Sequence, residues 1–170
     1  LGTQPRLLIC NFAQLREDWE EKYTEDVNFF EEIFNQDIKP VLNLAFPETF
    51  GEQMQESDAV YIHGGDDHLV QYWLKQFDLK KLWDGKVVAA NSAGSNAIVE
   101  SFWTCDWRQC MDGLGLLPIK FLPHFQSDFG INDPRGPIEC DEAYNELVQN
   151  GDQSLSIYAL EEGEYIAFEV

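Results

Sequence analysis

The chain has 170 residues, with 11 basic and 31 acidic side chains and a formal net charge of −20. Such acidity argues against nucleic acid and an anionic membrane surface as partners, because neither would find a basic patch to bind. Hydrophobic residues make up 44% of the chain, which argues against disorder and favours one folded α/β domain over residues 1–170.

The first half of the chain predicts strands that alternate with helices. Short apolar runs predict the strands, and apolar residues at helical spacing predict the helices. In chain order we expect a strand at 6–11, a helix at 18–34, a strand at 39–44, a short helix at 47–56, a strand at 59–62, a helical stretch at 69–82 and a strand at 86–90. This alternation is typical of βαβ units and a parallel sheet covered on both faces.

The second half predicts fewer regular elements and one long loop. We expect a helix at 95–102, a strand at 116–122, a loop at 126–138, a short helix at 139–150 and closing strands at 154–160 and 164–170. A loop as long as 126–138 often carries function.

No segment predicts membrane insertion or secretion. The chain has no apolar run of the ~18 to 20 residues that span a bilayer, and no signal peptide opens it. Its four cysteines form no CxxC pair, so we interpret them as reduced thiols in a cytoplasmic protein. The sequence begins with Leu1 rather than Met, so a leader or N-terminal strand could be missing.

Asn91-Ser92-Ala93-Gly94 has the pattern of a nucleophile elbow, in which a strand turns sharply into a helix. Small residues around Ser92 allow the strained backbone that such a turn needs. The N–H groups of Ser92 and Ala93 would then lie at a helix N-terminus, where partial positive charge favours an oxyanion. Ser92 is therefore the candidate nucleophile, and the alternative is that Ser92 only caps the helix.

Two other strand ends offer partners for Ser92, because ligands of open parallel sheets bind beyond the carboxyl ends of the strands. Gly64 and Gly65 follow the third strand, and their N–H groups could approach a substrate and complete an oxyanion hole. His124 follows the strand at 116–122 and is the candidate general base. The alternative for His124 is a structural, hydrogen-bonded histidine.

A carboxylate should orient the imidazole of the base. Glu162, at a later strand end, is our choice, and Asp106 is the competing residue. The alternative for Glu162 is a solvated carboxylate in a turn.

A metal site is the other chemistry that this part of the sequence suggests. His63, Asp66, Asp67 and His68 are all capable ligands. Their spacing matches no zinc-hydrolase helix motif, and the two glycines between them favour a loop shaped by backbone contacts. We therefore predict neither a metal nor an organic cofactor.

Four segments occur in a distinctive order along the chain. They are His63-Gly64-Gly65-Asp66, Asn91-Ser92-Ala93-Gly94, Leu114–Pro118 leading to Pro123-His124-Phe125, and Leu160-Glu161-Glu162-Gly163. In this order they resemble the dipeptidase E and cyanophycinase family of serine peptidases over most of the chain. The resemblance implies a class I glutamine-amidotransferase-like, flavodoxin-like fold: an α/β three-layer sandwich with a central, mostly parallel sheet.

The resemblance also implies roles for individual residues. Ser92 would be the nucleophile, His124 the base and Glu162 the acid, with Asp106 matching a family aspartate near the site. Gly64, Gly65, Asp66 and Ala93 would form the oxyanion hole and substrate-binding loop, with N–H groups of Gly65 and Ala93 as donors. The implied reaction is hydrolysis of a small peptide through an acyl-enzyme. Dimerisation, common for such sheets, suggests a homodimer by analogy.

The chain departs from the family pattern at several positions. His63 replaces a usual glycine, and Asp66 replaces a usual asparagine and adds a negative charge beside the oxyanion hole. The segment 136–149, which holds an arginine in aspartyl dipeptidases, has none here, and Arg135 precedes it. A catalytically inactive ligand-binding or regulatory relative is therefore the alternative function. A serine rather than a cysteine at position 92 argues against a glutamine amidotransferase.

Overall fold

Parallel strands and helices alternate in a computed structural model of the protein, which describes residues 2–34 and 38–169, and this confirms the predicted α/β class. The chain divides into two units, Leu1–Ser95 and Asn96–Val170. Each unit contains one four-stranded sheet. The single domain over residues 1–170 stays a prediction.

The first unit follows the predicted order of elements. Its elements are β1 (Arg6–Cys10), α1 (Trp19–Ile33), β2 (Val41–Leu44), α2 (Phe50–Glu56), β3 (Ala59–Ile62), α3 (Asp67–Leu74), α4 (Leu79–Leu82) and β4 (Val87–Ala90). The sheet order is β2-β1-β3-β4 and every pairing is parallel. The helical stretch predicted at 69–82 is two helices, because Asp78 starts α4 by accepting a hydrogen bond from the Lys81 N–H.

Aromatic packing fixes the segment that follows β1. Phe12 is fully buried, and its ring centroid lies 5.2 Å from that of Trp19 and 5.4 Å from that of Phe50. Ala13 is buried beside Phe12. This segment reaches the carboxyl end of the sheet. The loop that follows β3, His63-Gly64-Gly65-Asp66, lies at the same end and is called the glycine loop below.

The second unit has a mixed sheet. Its elements are α5 (Ala93–Ile98), which begins before the unit boundary, β5 (Val99–Thr104), β6 (Gln109–Asp112), β7 (Leu117–Leu122), α6 (Cys140–Gln149) and β8 (Ile157–Ala159). The sheet order is β6-β5-β7-β8. Strand β6 is antiparallel to β5, and the other pairings are parallel.

Two predicted elements in this half are wrong. The helix predicted at 95–102 ends at Ile98, and the chain continues as β5 because Val99, Phe102 and Trp103 are buried strand-forming residues that pack in the sheet. The strand predicted at 164–170 is absent from 164–169, where every residue is exposed and Tyr165 is 89% exposed. Residue 170 lies outside the described residues. Strand β6 had no counterpart in the sequence prediction.

The one fully buried lysine of the described chain has a structural role. Lys120, on β7, donates a hydrogen bond from Nζ to the carbonyl oxygen of Leu147 at 3.0 Å, and also contacts the carbonyl oxygen of Asn150. A positive charge at the carboxyl end of α6 complements the helix dipole. Among the described residues, no helix has both the length and the apolar character required to cross a membrane.

Candidate active site

Ser92 lies at a sharp turn between β4 and α5. Its φ is +45°, in the left-handed region that non-glycine residues rarely occupy. A Cβ atom at Gly94 would lie 2.4 Å from the carbonyl oxygen of Ile62, so the turn passes too close to β3 for any larger residue. The backbone at Ser92 therefore has the strained geometry of an elbow.

Asn91 joins the elbow to the glycine loop. Its Oδ1 accepts a hydrogen bond from the Gly64 N–H at 2.7 Å, and its own N–H donates to the carbonyl oxygen of Ile62 at 3.2 Å. The Asn91 carbonyl oxygen accepts from the Gly94 N–H at 2.9 Å. Asn91 was not predicted as a site residue, although an amide side chain just before the serine was visible in the sequence.

Within the described residues, the glycine loop leaves one N–H group without an internal partner. Gly64 donates to Asn91, and the Asp66 N–H donates to the carbonyl oxygen of Ala13 at 2.8 Å. Gly65 has a φ of +143°, and a Cβ atom there would lie 2.5 Å from that same oxygen. In the described part of the chain, the Gly65 N–H is therefore the donor of this loop that remains for a ligand. The other predicted donor, the Ala93 N–H, is at the first residue of α5.

Asp66 is the N-cap of α3. Its Oδ1 accepts a hydrogen bond from the Leu69 N–H at 2.8 Å. A carboxylate at a helix N-terminus interacts favourably with the helix dipole. The carboxylate of Asp66, at the position where the family usually has asparagine, therefore interacts with the N-terminus of α3.

His124 and Glu162 lie together in the second unit. Pairing of β7 with β8 continues past both strands, since the Phe125 N–H donates to the carbonyl oxygen of Leu160 at 2.9 Å. His124 has a φ of +57°, and its Nδ1 contacts Oε1 of Glu162. The imidazole is 15% exposed and the Glu162 side chain 62% exposed. Nε2 is then the nitrogen that faces away from the carboxylate.

Phe129 was missed by the sequence analysis. Its ring stacks on the His124 imidazole with centroids 4.0 Å apart and planes 12° apart. Phe129 belongs to the loop at 126–138, for which a function is predicted. Ser127 closes the turn before Phe129, because its Oγ donates a hydrogen bond to the carbonyl oxygen of His124 at 2.9 Å. The ring therefore limits rotation of the imidazole.

Asp106, the competing acid, lies in the exposed turn between β5 and β6, and its carbonyl oxygen accepts a hydrogen bond from Arg135 at 2.9 Å. Arg135 also binds both carboxylate oxygens of Asp133, with its Nε 2.9 Å from Oδ1. The hydrogen bonds from Arg135 hold the pKa of Asp133 well below its usual range. Arg135 is thus engaged within the loop and its neighbouring turn.

The residues of the metal alternative do not converge. His63 directs Nε2 to Oδ1 of Asp26 at 3.3 Å, whereas Asp66 caps α3. Among the described residues, no three His, Cys, Asp or Glu side chains are grouped to hold a metal ion.

The four cysteines all lie in the described part of the chain, and none of them forms a disulfide there. Burial raises the pKa of Cys10 to about 12 and that of Cys110 to about 11, so neither is an activated nucleophile.

A strained serine between a parallel strand and a helix occurs in several classes of α/β hydrolase. Within this broad class, the model of Peptidase family S51 matches residues 3–169, and the chain belongs to that peptidase family. The resemblance to dipeptidase E-like enzymes is thereby confirmed.

Two crystal structures have a similar, flavodoxin-like fold. A candidate peptidase E protein from Listeria monocytogenes EGD-e is 15% identical, with a TM-score of 0.61 over 94% of this chain and 80% of that one. A peptidase from an acI-B1 Actinobacterium is 20% identical, with a TM-score of 0.52 over 92% of this chain and 66% of that one. No curated protein matches this sequence.

Proposed function

We propose that the protein is a serine-type peptidase that hydrolyses short peptides through an acyl-enzyme on Ser92. The observation that carries the proposal is the left-handed backbone at Ser92, φ +45°, directly before a helix. Strain of this kind has an energetic cost and persists where the surroundings enforce it, as in an elbow that presents a nucleophile. Membership of a peptidase family supports the reaction class.

The proposed reaction has two halves. Ser92 Oγ attacks the peptide carbonyl carbon while Nε2 of His124 takes the hydroxyl proton, and Glu162 at Nδ1 stabilises the imidazolium. The N–H groups of Gly65 and Ala93 would stabilise the oxyanion. The C–N bond then breaks, and the leaving amine takes the proton from His124. Water, activated by the same nitrogen, hydrolyses the ester and restores Ser92.

The substrate that we propose is a short peptide without a required acidic side chain. The name of one structural neighbour, a candidate peptidase E, supports a peptide substrate, and the sequence resemblance supports a short one. Arg135, which directly precedes the segment 136–149 in the sequence, is bound to Asp133 and to the Asp106 carbonyl. A net charge of −20 also disfavours acidic ligands.

We further propose a cytoplasmic location, from composition, and a homodimer, by analogy.

Labelling with a fluorophosphonate probe, followed by mass spectrometry, tests the proposal. We expect an adduct on Ser92 that disappears in Ser92→Ala and His124→Ala. The matched control is Ser154→Ala, which removes an exposed serine hydroxyl from a turn and should leave labelling unchanged. A folded wild-type protein that gives no adduct would favour the alternative, a ligand-binding or regulatory relative.

A further inference from the structure

The carbonyl oxygen of Gly64 accepts two side-chain hydrogen bonds. Gln14 Nε2 lies 2.6 Å from it and His63 Nδ1 lies 2.9 Å from it. The peptide unit between Gly64 and Gly65 is planar and trans, so its C=O and N–H point in opposite directions. Holding the Gly64 oxygen therefore also sets the direction of the Gly65 N–H.

This peptide would otherwise have little to fix it. Glycine residues flank it on both sides, and glycine accepts positive and negative φ almost equally. A rotation of the peptide plane would replace the Gly65 N–H with the Gly64 carbonyl oxygen, which would repel an oxyanion. The two donors oppose that rotation because it would break both hydrogen bonds.

Gln14 is itself held at both backbone groups. Its N–H donates to the carbonyl oxygen of Asn11 at 2.9 Å, and its carbonyl oxygen accepts from Nε1 of the buried Trp19 at 2.9 Å. The preceding residues, Phe12 and Ala13, are buried. The amide of Gln14 thus extends to Gly64 from a rigid base.

His63 must keep a proton on Nδ1, because the Gly64 oxygen can only accept. Its Nε2 lies 3.3 Å from Oδ1 of Asp26, whose side chain is 6% exposed. A single proton between Nε2 of His63 and Oδ1 of Asp26 can form a hydrogen bond between these two atoms. The second proton stays on Nδ1 and is donated to the Gly64 oxygen. Asp26 and Gly64 therefore contact opposite nitrogens of the ring, and the two contacts together fix its orientation.

We propose that Gln14 and His63, with Asp26 behind His63, are positioning residues that hold the Gly64–Gly65 peptide so that the Gly65 N–H can bind the acyl oxygen of the substrate. The inference rests on the proposed function, since it assigns the parts of its oxyanion hole. It also gives a role to His63, which stands where the family usually has glycine.

Three variants test these residues by activity. Gln14→Glu keeps the size of the side chain but replaces the donor with a carboxylate oxygen, and Gln76→Glu is the control because Gln76 is exposed just beyond the end of α3. We expect Gln14→Glu to lower kcat and the rate of Ser92 labelling by about 10²-fold, with KM changed by less than about threefold, as for loss of an oxyanion donor. His63→Phe should lower kcat by about tenfold. His63→Asn, which restores an N–H donor, should recover most of it.

Crystal structures of the Gln14→Glu and His63→Phe variants provide a readout that does not need activity. We expect the Gly64–Gly65 peptide to be rotated in at least the first. If the wild type is labelled, and the peptide keeps its direction with labelling unchanged in both variants, the positioning proposal is wrong and the proposed function stands. If the peptide rotates but the wild type is never labelled, the positioning holds and the serine-peptidase function is wrong.

Discussion

A Cβ atom at Gly64 would lie 2.9 Å from the Cβ of Ser92 and 3.3 Å from the carbonyl oxygen of Asn91. The glycine loop and the elbow are therefore in contact at the candidate nucleophile itself. Both sides of this contact are backbone or the first side-chain carbon, which have little freedom to move.

Gly64→Ala should therefore displace Ser92 without unfolding the protein. We expect fluorophosphonate labelling of Ser92 to fall by at least about tenfold, because a small misplacement of a nucleophile is costly. The control is Gly51→Ala in α2, where an added Cβ meets nothing within 4 Å. That variant should label normally and be slightly more stable, since alanine is favoured over glycine in a helix by about 0.5–1 kcal/mol. Equal labelling in both variants would contradict the close contact.

The sequence predicted the strands of the first sheet and the elbow because these are local patterns. The strand predicted at 59–62 coincides with β3, and the small residues around Ser92 predict the turn. Gln14 could not be predicted in the same way. Its contact with Gly64 exists because β1 and β3 are neighbours in the sheet, which is a long-range pairing.

The second sheet was harder to predict for a different reason. Val99–Thr104 follows a helix without a break, and its apolar residues fit a helix or a buried strand equally well by pattern. The pairing of β5 with β6 on one side and with β7 on the other decides the outcome, and β6 itself is only four residues long. The contact of His124 with Glu162 could be predicted because both residues follow predicted strands, and in the structure those strands, β7 and β8, are paired.

Replacing Glu162 distinguishes it from Asp106 as the acid. Glu162→Gln removes the negative charge beside Nδ1 of His124, and we expect kcat to fall by about 10²-fold, less than for a fully buried triad acid because this side chain is 62% exposed. Asp106→Asn should change kcat by less than about threefold. Glu161→Gln is the matched control on the adjacent exposed residue. A larger loss with Asp106→Asn than with Glu162→Gln would reverse the assignment.

Phe129 should orient His124, the proposed base. Phe129→Ala removes the ring that stacks on His124, so the imidazole gains rotational freedom and kcat should fall by about fivefold. Ile131→Ala, at a 56% exposed residue of the same loop, separates this effect from a general loosening of the loop. Steady-state kinetics with a dipeptide substrate measures both variants. Similar losses at the two positions would mean that the loop, rather than the stack, matters.

The buried Asp26 should make stability depend on pH in a defined direction. Burial raises the pKa of Asp26, and the charge of His63 opposes this in part. Between the unfolded value of about 3.9 and the higher folded value, the folded protein binds more protons, so the free energy of unfolding falls as pH rises through that window. The amide of the Asp26→Asn variant has no proton to lose in this range. The unfolding free energy of the wild type should therefore fall relative to that of Asp26→Asn as pH rises through the same window.

Urea denaturation of both proteins at a series of pH values from about 4 upward measures this difference. The control is Asp84→Asn, at an exposed turn residue, which shows the effect of removing a carboxylate that is not buried. If the wild type instead becomes more stable relative to Asp26→Asn as pH rises, the ion pair with His63⁺ outweighs the cost of burying the Asp26 charge. In that case His63 would hold Gly64 as an imidazolium, with both ring nitrogens protonated.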